Sequence, residues 1–274
     1  MRHTRAYGGS RRVLSVQGNS VRGMRIDHIA AIEEQSAAFT EAMTRPGALE
    51  RAVPSCPGWT GHDLLYHLGE VQTFWTLVLR SGGELPGEDE KRAAKDYGDD
   101  LTGWWRERSA GLVRQLRSIP GDMPTWCWWN DERRATAADV ASRQAHEALV
   151  HRWDAENVVD AVRPTDPALA ADGVDEFATR FLNGGDWTGP SGVLALRAGD
   201  TGYEWRFGCG SESPSQDGRP RWLVDKRARP LATVVTGSAE QLDLMLWRRV
   251  EPDPDHVEGD AELLAAFLAW PGLD

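Results

Sequence analysis

The chain contains 274 residues, of which 41% are hydrophobic, enough for one large domain or two ordinary domains with cores of their own. Its formal net charge of -11 at pH 7 disfavours nucleic-acid binding, because an acidic surface repels phosphate groups. No run of residues approaches the roughly 18 uninterrupted apolar positions that a membrane span needs, so we expect no membrane association.

The N-terminal segment 1–23 is basic and rich in glycine and serine, and its apolar patch is too short for a secretory signal. We interpret it as a disordered extension, or as the product of a start upstream of Met24. The three cysteines are odd in number and show no CxxC pairing, which favours a reducing cytoplasm over a disulfide scaffold or a zinc ribbon. They are Cys56, Cys127 and Cys209.

Four amphipathic helices are predicted in the first half of the chain. Apolar residues recur at intervals of three and four over 27–44, from 60 to the glycine-rich segment at 81, over 99–119 and over 136–159. Thr60 with Asp63, and Thr136 with Asp139, have the spacing of a helix-capping box. Four helices of this length predict a helical bundle.

The pattern changes in the second half. After a short predicted helix at 172–182, the segment 183–192 is rich in glycine and turn formers, and we place a domain boundary there. Tyr203, Trp205 and Phe207 alternate with polar residues, 222–224 and 232–237 are strand-like, and helices are predicted to begin after Ser238 and Asp260. The expected fold is α+β and mainly α, with a four-helix bundle at 24–183 and a small α+β domain at 190–274.

Three polar side chains are predicted to face the interior of the bundle. Glu147 and His151 lie four residues apart on the inward face of the fourth helix, and His67 lies on the apolar stripe of the second. Burial of these groups is costly unless each is paired, and a divalent cation would pair all three. Two imidazoles and one carboxylate suit zinc with an open fourth position, although nickel or iron would also fit.

An alternative interpretation of this pattern stays open. A glutamate and a histidine at this helical spacing also form surface pairs or hydrogen bonds within a core. The neighbouring His146 is rotated by about 100° from Glu147 around the helix, so we expect it to face elsewhere.

The motifs that carry these residues resemble a known family. The segments VPSCPGWTGHDLLYHLGEV, HEALVHRWDAENV and AADGVDEF are similar to those of the mycothiol-dependent maleylpyruvate isomerases of actinobacteria. GDTGYEWRF, TGSAEQLDLMLWRR and VEGDAELLAAFL resemble the same family's second domain. The resemblance covers nearly everything from Met24 onward, and implies a DinB-like metal-binding bundle followed by a sterol-carrier-like domain.

The resemblance also implies roles for individual residues. It assigns His67, Glu147 and His151 as the metal ligands, and mycothiol, a thiol built on a pseudo-disaccharide, as cofactor or cosubstrate. Arg249 in LWRR matches a family arginine that helps to bind or polarise an acidic substrate, and the alternative for it is an ordinary solvated arginine. Arg248 stands where the family often has glycine. This departure weakens the inference that maleylpyruvate is also the substrate of this chain. The WCWW segment at 126–129 could pack in the core or stack on a sugar ring.

The leading hypothesis is a metal-dependent enzyme in which the sulfur of mycothiol attacks an electrophilic small molecule. Its reaction would be one of three: an S-transfer, a thiol exchange, or a cis-trans isomerisation of the maleylpyruvate type. The alternatives are a zinc hydrolase that activates water and a non-enzymatic ligand-binding regulator. We expect a cytoplasmic monomer or homodimer whose partners are a small-molecule thiol and an electrophile.

Overall fold

The computed structural model describes residues 26–129, 135–182, 186–209, 222–225 and 229–273. The basic extension predicted at 1–23 lies outside these residues, as does part of the glycine-rich segment at 183–192. The described chain is mainly helical and carries one five-stranded sheet, which confirms the predicted α+β, mainly α fold class.

Five helices make up the first half of the chain. Both predicted capping boxes are present: the threonine hydroxyl accepts a hydrogen bond from the backbone three residues on, and the aspartate carboxylate accepts one from the threonine N–H. These caps fix where the second and fifth helices begin. The helices are α1 (His28–Met43), α2 (Gly61–Arg80), α3 (Glu88–Ala94), α4 (Leu101–Ser118) and α5 (Ala137–Val158).

The four long helices pack as a bundle. α1 lies against α5 and α4, and α2 lies against α4 and α5. Their apolar stripes are buried, with Ile32 and Phe39 of α1, Leu68 of α2 and Trp105 of α4 excluded from solvent. Because α2 and α5 are neighbours, polar groups on their facing sides meet inside the bundle.

The second half begins with α6 (Pro167–Arg180) and continues into the sheet. Earlier in the chain, the two-residue strands β1 (Pro124–Thr125) and β2 (Ala135–Thr136) pair with each other. The strands of the five-stranded sheet are β3 (Gly192–Ala198), β4 (Glu204–Cys209), β5 (Leu223–Val224), β6 (Thr233–Gly237) and β7 (Val257–Gly259). Their order across the sheet is β5-β4-β3-β6-β7. Only β3 and β6 run parallel among the described pairs of this sheet; the other neighbours are antiparallel.

Two helices, α7 (Ala239–Leu246) and α8 (Ala261–Ala269), pack on this sheet. α6 packs mainly on α7, and one apolar cluster runs from the bundle through α6 to the sheet. The two halves therefore share a core, and a cavity can form between them. The domain bounds 24–183 and 190–274 stay a prediction.

Several elements differ from the sequence prediction, and β1, β2 and β7 are among those that were not anticipated. α3 forms in a segment that we expected only to interrupt the helices, and β3 was not anticipated. α6 begins at Pro167 and not at 172, because Asp166 caps it with hydrogen bonds from the backbone of Ala168 and Leu169. No helix in the described parts of the chain is long and apolar enough to cross a membrane.

Candidate functional site

The structure brings His67, Glu147 and His151 together between α2 and α5. Oε1 of Glu147 lies 3.4 Å from Nε2 of His67 and 3.3 Å from Nε2 of His151. The imidazole rings meet edge to face, with centroids 5.1 Å apart. Three potential ligand atoms therefore converge on one small volume, as the sequence predicts.

The second oxygen of Glu147 is held by Arg143, one turn earlier on α5. Nη2 of Arg143 donates to Oε2, which leaves Oε1 directed at the two imidazoles. Burial alone would raise the pKa of Glu147, but Arg143 and the hydrogen bonds to His151 and His67 hold that pKa well below its usual range. The carboxylate is therefore charged and has a fixed orientation.

His151 is oriented by Asp154, which lies three residues further along α5. Nδ1 of His151 lies 2.9 Å from Oδ2 of Asp154, and a carboxylate can only accept, so Nδ1 carries a proton. Although burial lowers the pKa of His151, its hydrogen bonds to Asp154 and Glu147 raise that pKa to about 9. When the ring is neutral, its lone pair is on Nε2 and faces the converging ligand atoms.

Asp154 is fully buried and also receives groups from other segments. Arg249, just after α7, donates from Nε to Oδ1 at 3.1 Å and from Nη2 to Oδ2 at 3.0 Å. Ser55 donates to Oδ1 at 2.5 Å, and the Sγ atom of Cys56 lies 3.7 Å from Oδ2. Burial raises the pKa of Asp154, but His151 and Arg249 outweigh it and lower that pKa to about 2. Its complete burial places Asp154 inside the protein and not on the helix surface.

Arg143 connects the site to α6. Its Nη1 donates to Oε2 of Glu176 at 2.7 Å, and Oε1 of Glu176 accepts from Arg180 at 2.5 Å. The Arg143 guanidinium also lies over the rings of Phe181 and Trp247, at 5.1 Å and 5.2 Å from their centroids. This packing fixes the arginine that holds Glu147.

A second histidine and carboxylate cluster lies on the other side of α5. Nε2 of His28 and Nε2 of His146 lie 2.7 Å and 2.8 Å from the same oxygen of Asp172, which are hydrogen-bond lengths. Nδ1 of His146 is buried and makes no hydrogen bond among the described residues, whereas a metal-bound histidine normally donates from its other ring nitrogen. This cluster therefore has the geometry of a hydrogen-bonded link between α1, α5 and α6, and His146 faces away from Glu147 as predicted.

A cavity of about 910 Å³ opens beside His67, Glu147 and His151. Residues of α2, α3, α5, the loop before α2 and the turn after α7 line it, so both halves of the chain contribute. Its polar end carries the three converging side chains with Arg143 and Arg249. Much of the remaining wall is aromatic, formed by Trp59, Phe74, Trp75, Trp128, Phe181 and Trp247.

The WCWW segment divides between core and cavity. Trp126 and Trp129 pack near Trp75, with ring centroids 6.0 Å and 5.6 Å away, and Cys127 is buried. Trp128 is 41% exposed and borders the cavity. One tryptophan of the four-residue segment is thus available to a ligand, and the others have packing roles.

Arg248 does not contribute its side chain to the cavity lining. Its φ angle of 59° lies in the left-handed region that favours glycine, and its guanidinium donates to the carbonyl oxygens of Leu268 and Pro271, each at 2.8 Å. A glycine, which the resemblance implies at this place, would suit this backbone conformation. The Arg248 side chain thus turns away from the cavity, and the effect of this departure on the substrate stays a prediction.

Comparison with known proteins gives consistent results for both halves. A family model described as the mycothiol maleylpyruvate isomerase N-terminal domain matches residues 29–156, and one described as the MDMPI C-terminal domain matches residues 168–266. Two solved structures are similar, one titled as the mycothiol-dependent maleylpyruvate isomerase and one as a histidine-to-alanine mutant of it. Each has a TM-score of 0.59 and 12% identity, and covers 89% of this chain and 97% of the other. No curated protein sequence matches.

Proposed function

This chain belongs to the mycothiol maleylpyruvate isomerase family, and from that membership we propose that it is a metal-dependent enzyme that uses mycothiol against an electrophilic small molecule. The observation that carries the proposal is the convergence of His67, Glu147 and His151 at the polar end of a large cavity. We propose these three residues as the ligands of a divalent cation, with zinc as the best candidate.

The spacing of the three groups supports a cation. Zinc ligands about 2.0 to 2.1 Å from the ion in a tetrahedral arrangement lie roughly 3.3 Å from one another. The two nitrogen–oxygen separations in this site are 3.4 Å and 3.3 Å, longer than most hydrogen bonds between such groups and close to this value. The cluster of His28, His146 and Asp172, with separations of 2.7 Å and 2.8 Å, fits it less well.

The supporting groups also suit a metal centre. Asp154 holds His151 with Nε2 toward the site, and Arg143 holds Glu147 charged with Oε1 toward the site. When bound, a divalent cation would supply the positive charge that keeps a thiol deprotonated at neutral pH. Among the described residues three protein ligands converge, which leaves room for a small-molecule ligand, as in catalytic sites.

The cavity walls would bind and orient the reactants. Aromatic faces such as that of Trp128 can stack on the sugar-like rings of mycothiol and exclude water from the reacting atoms. Arg249 already donates from Nε and Nη2 to Asp154 and from Nη1 to the carbonyl oxygen of Trp247. We therefore propose that Arg249 acts mainly by holding Asp154, and presents only the edge of its guanidinium to an acidic substrate.

Two reactions are compatible with such a site. In an isomerisation, the thiolate adds to an activated double bond, the resulting single bond rotates, and the thiolate leaves again. In a transfer, the thiolate displaces a leaving group or adds to the electrophile, and the S-conjugate is the product. We propose the first for substrates of the maleylpyruvate type, since a similar structure carries that name.

The test is the dependence of turnover on the thiol. Zinc-loaded protein is incubated with maleylpyruvate, with and without mycothiol, and the products are separated by chromatography. We expect the isomer or the S-conjugate of maleylpyruvate to form only when mycothiol is present. Hydrolysis products formed equally with and without thiol would identify a hydrolase, and bound zinc without any turnover would favour a binding protein.

A further inference from the structure

Three consecutive residues leave the end of α7 in different directions. Trp247 and Arg249 border the cavity, whereas Arg248 between them turns toward the end of α8. The left-handed backbone at Arg248, with φ of 59°, produces this divergence. The same turn that builds one wall of the cavity therefore also contacts the C-terminal segment.

Arg248 attaches the residues that follow α8. Its Nε donates to the carbonyl oxygen of Leu268 in the last turn of α8, and its Nη2 donates to that of Pro271 beyond the helix. Carbonyls at a helix C-terminus lack partners within the helix, and a cation stabilises them. Pro271 is itself buried. The start of the segment is thus fixed at two points by one side chain.

The segment then reaches the cavity. Gly272 and Leu273 line the same cavity as His67, Glu147 and His151. A Cβ atom added at Gly272 would meet no atom within 4 Å, and its backbone is not in the left-handed region, so the backbone and its first side-chain atom leave room for a substitution there. The glycine therefore leaves space beside the wall that a side chain could fill.

We propose that residues 271–273 form a wall of the substrate cavity, set in place by Arg248, and that this wall limits the size of the electrophile. Gly272 and Leu273 offer no side-chain hydrogen bonds, so they suit the apolar, non-reacting part of the electrophile better than the hydroxyl-rich thiol. Arg248 is a positioning residue in this arrangement. The inference rests on the proposed function, because it concerns the second substrate of the same site.

The test compares Gly272→Phe, Arg248→Gly and a control, Gly199→Phe. Gly199 lies in an exposed turn after β3, and a Cβ there would meet only one atom, at 3.9 Å. Each zinc-loaded variant is assayed with mycothiol and two electrophiles, compact maleylpyruvate and the bulkier bicyclic monochlorobimane. The same proteins are also titrated with the fluorescent dye anilinonaphthalenesulfonate without thiol, and digested with chymotrypsin.

We expect Gly272→Phe to lower kcat/KM for the bulky electrophile relative to the compact one by about tenfold, with unchanged zinc content and unchanged KM for mycothiol. Arg248→Gly should shift this ratio in the opposite direction and speed chymotryptic cleavage near Leu268 and Trp270. Gly199→Phe should match the wild type. Equal electrophile preference in Gly272→Phe and Gly199→Phe, or wild-type cleavage of Arg248→Gly, would overturn the inference.

Failure of the proposed function would give a different result. If the wild type turns over neither electrophile with mycothiol, the proposed function is wrong. The dye titration and the chymotrypsin digestion then test the wall formed by residues 271–273 without any turnover. Weaker dye binding in Gly272→Phe than in Gly199→Phe, with faster cleavage of Arg248→Gly, would still support the wall. Equal dye fluorescence in all the proteins would reject it.

Discussion

At the scale of single residues, Asp154 determines how the candidate metal site is built. Its carboxylate accepts a hydrogen bond from Nδ1–H of His151 on one side and two from the guanidinium of Arg249 on the other, and it is not exposed to solvent. Such a carboxylate selects the tautomer of a histidine and increases its basicity toward a metal. The orientation of His151 thus depends on a residue outside the set of ligands.

Asp154→Asn should therefore weaken zinc binding by roughly 10- to 100-fold while the three ligands stay in place. The amide keeps the size of the side chain but loses the negative charge that orients Nδ1–H. Competition with a chromogenic chelator measures the affinity. Asp160→Asn is the matched control, because Asp160 is exposed and its φ of 55° suits asparagine, so its affinity should equal that of the wild type. Equal affinity in both variants would exclude the proposed role of Asp154.

The pKa of His151 predicts how metal binding depends on pH. With a pKa of about 9, His151 in the metal-free protein is protonated at pH 7.5, and zinc must displace that proton from Nε2. Calorimetric titrations in buffers of different ionisation enthalpy should show about one proton released per zinc at pH 7.5, and a declining number as the pH passes about 9. Zinc uptake without proton release at pH 7.5 would contradict this protonation state.

The same shift affects the stability of the metal-free protein. Because the folded-state pKa is raised from 6.5 to about 9, protonated His151 stabilises the fold fully below pH 6.5, and this contribution is lost as the pH rises through about 9. The zinc-loaded protein should not show this loss, because the metal replaces the proton.

At the scale of helices and strands, the sequence predicts elements with strong local signals and misses those without them. The long helices have apolar stripes and capping residues, and α1, α2, α4 and α5 all form where these signals lie. α3 has no side-chain cap and directly follows Pro86 and Gly87, which indicate a turn. The helix-forming residues after them were therefore not predicted as a helix. β3 is central and mostly buried, so it lacks the alternation that identified β4.

Close packing of α2 and α4 depends on a glycine that no sequence pattern singled out. A Cβ atom at Gly69 of α2 would lie 2.2 Å from a ring atom of Trp104 in α4. Gly69→Ala should therefore destabilise the protein by about 1 to 3 kcal/mol in urea unfolding. Gly111→Ala in α4 is the matched control, since a Cβ there meets only Arg114 at 3.9 Å. It should stabilise the helix by about 0.5 to 1 kcal/mol. An equal loss of stability in both variants would contradict the role of the Trp104 contact, because an alanine at position 111 makes no such contact.

At the scale of the whole molecule, the site depends on contacts between distant parts of the chain. The sequence predicts the three converging residues because each lies on the inward stripe of a helix. It gave no indication that Arg249 would pair with Asp154, or Arg143 with Glu176, since each pair joins distant segments of the chain and is formed only by the packing of the two halves. Arg143 alone had a local signal, its spacing of four residues from Glu147.

The buried bridge between Arg249 and Asp154 joins the bundle to the second half of the chain. Arg249→Ala would leave Asp154 without its main cationic partner, and we expect a loss of about 3 kcal/mol in the free energy of unfolding. Arg51→Ala removes an exposed bridge to Asp160 and should cost less than about 1 kcal/mol. Urea unfolding of the two variants checks this, and equal small losses would mean that the bridge does not hold the halves together.

The most direct test of the account is zinc binding by variants of the two histidine and carboxylate clusters. The wild type, His67→Ala, Glu147→Ala and His151→Ala are compared with His28→Ala and Asp172→Asn, by metal analysis after dialysis against a zinc buffer. We expect one tightly bound zinc in the wild type, in His28→Ala and in Asp172→Asn, and its loss from His67→Ala, Glu147→Ala and His151→Ala. Full zinc content in Glu147→Ala and His151→Ala, or loss of zinc only from His28→Ala and Asp172→Asn, would contradict it.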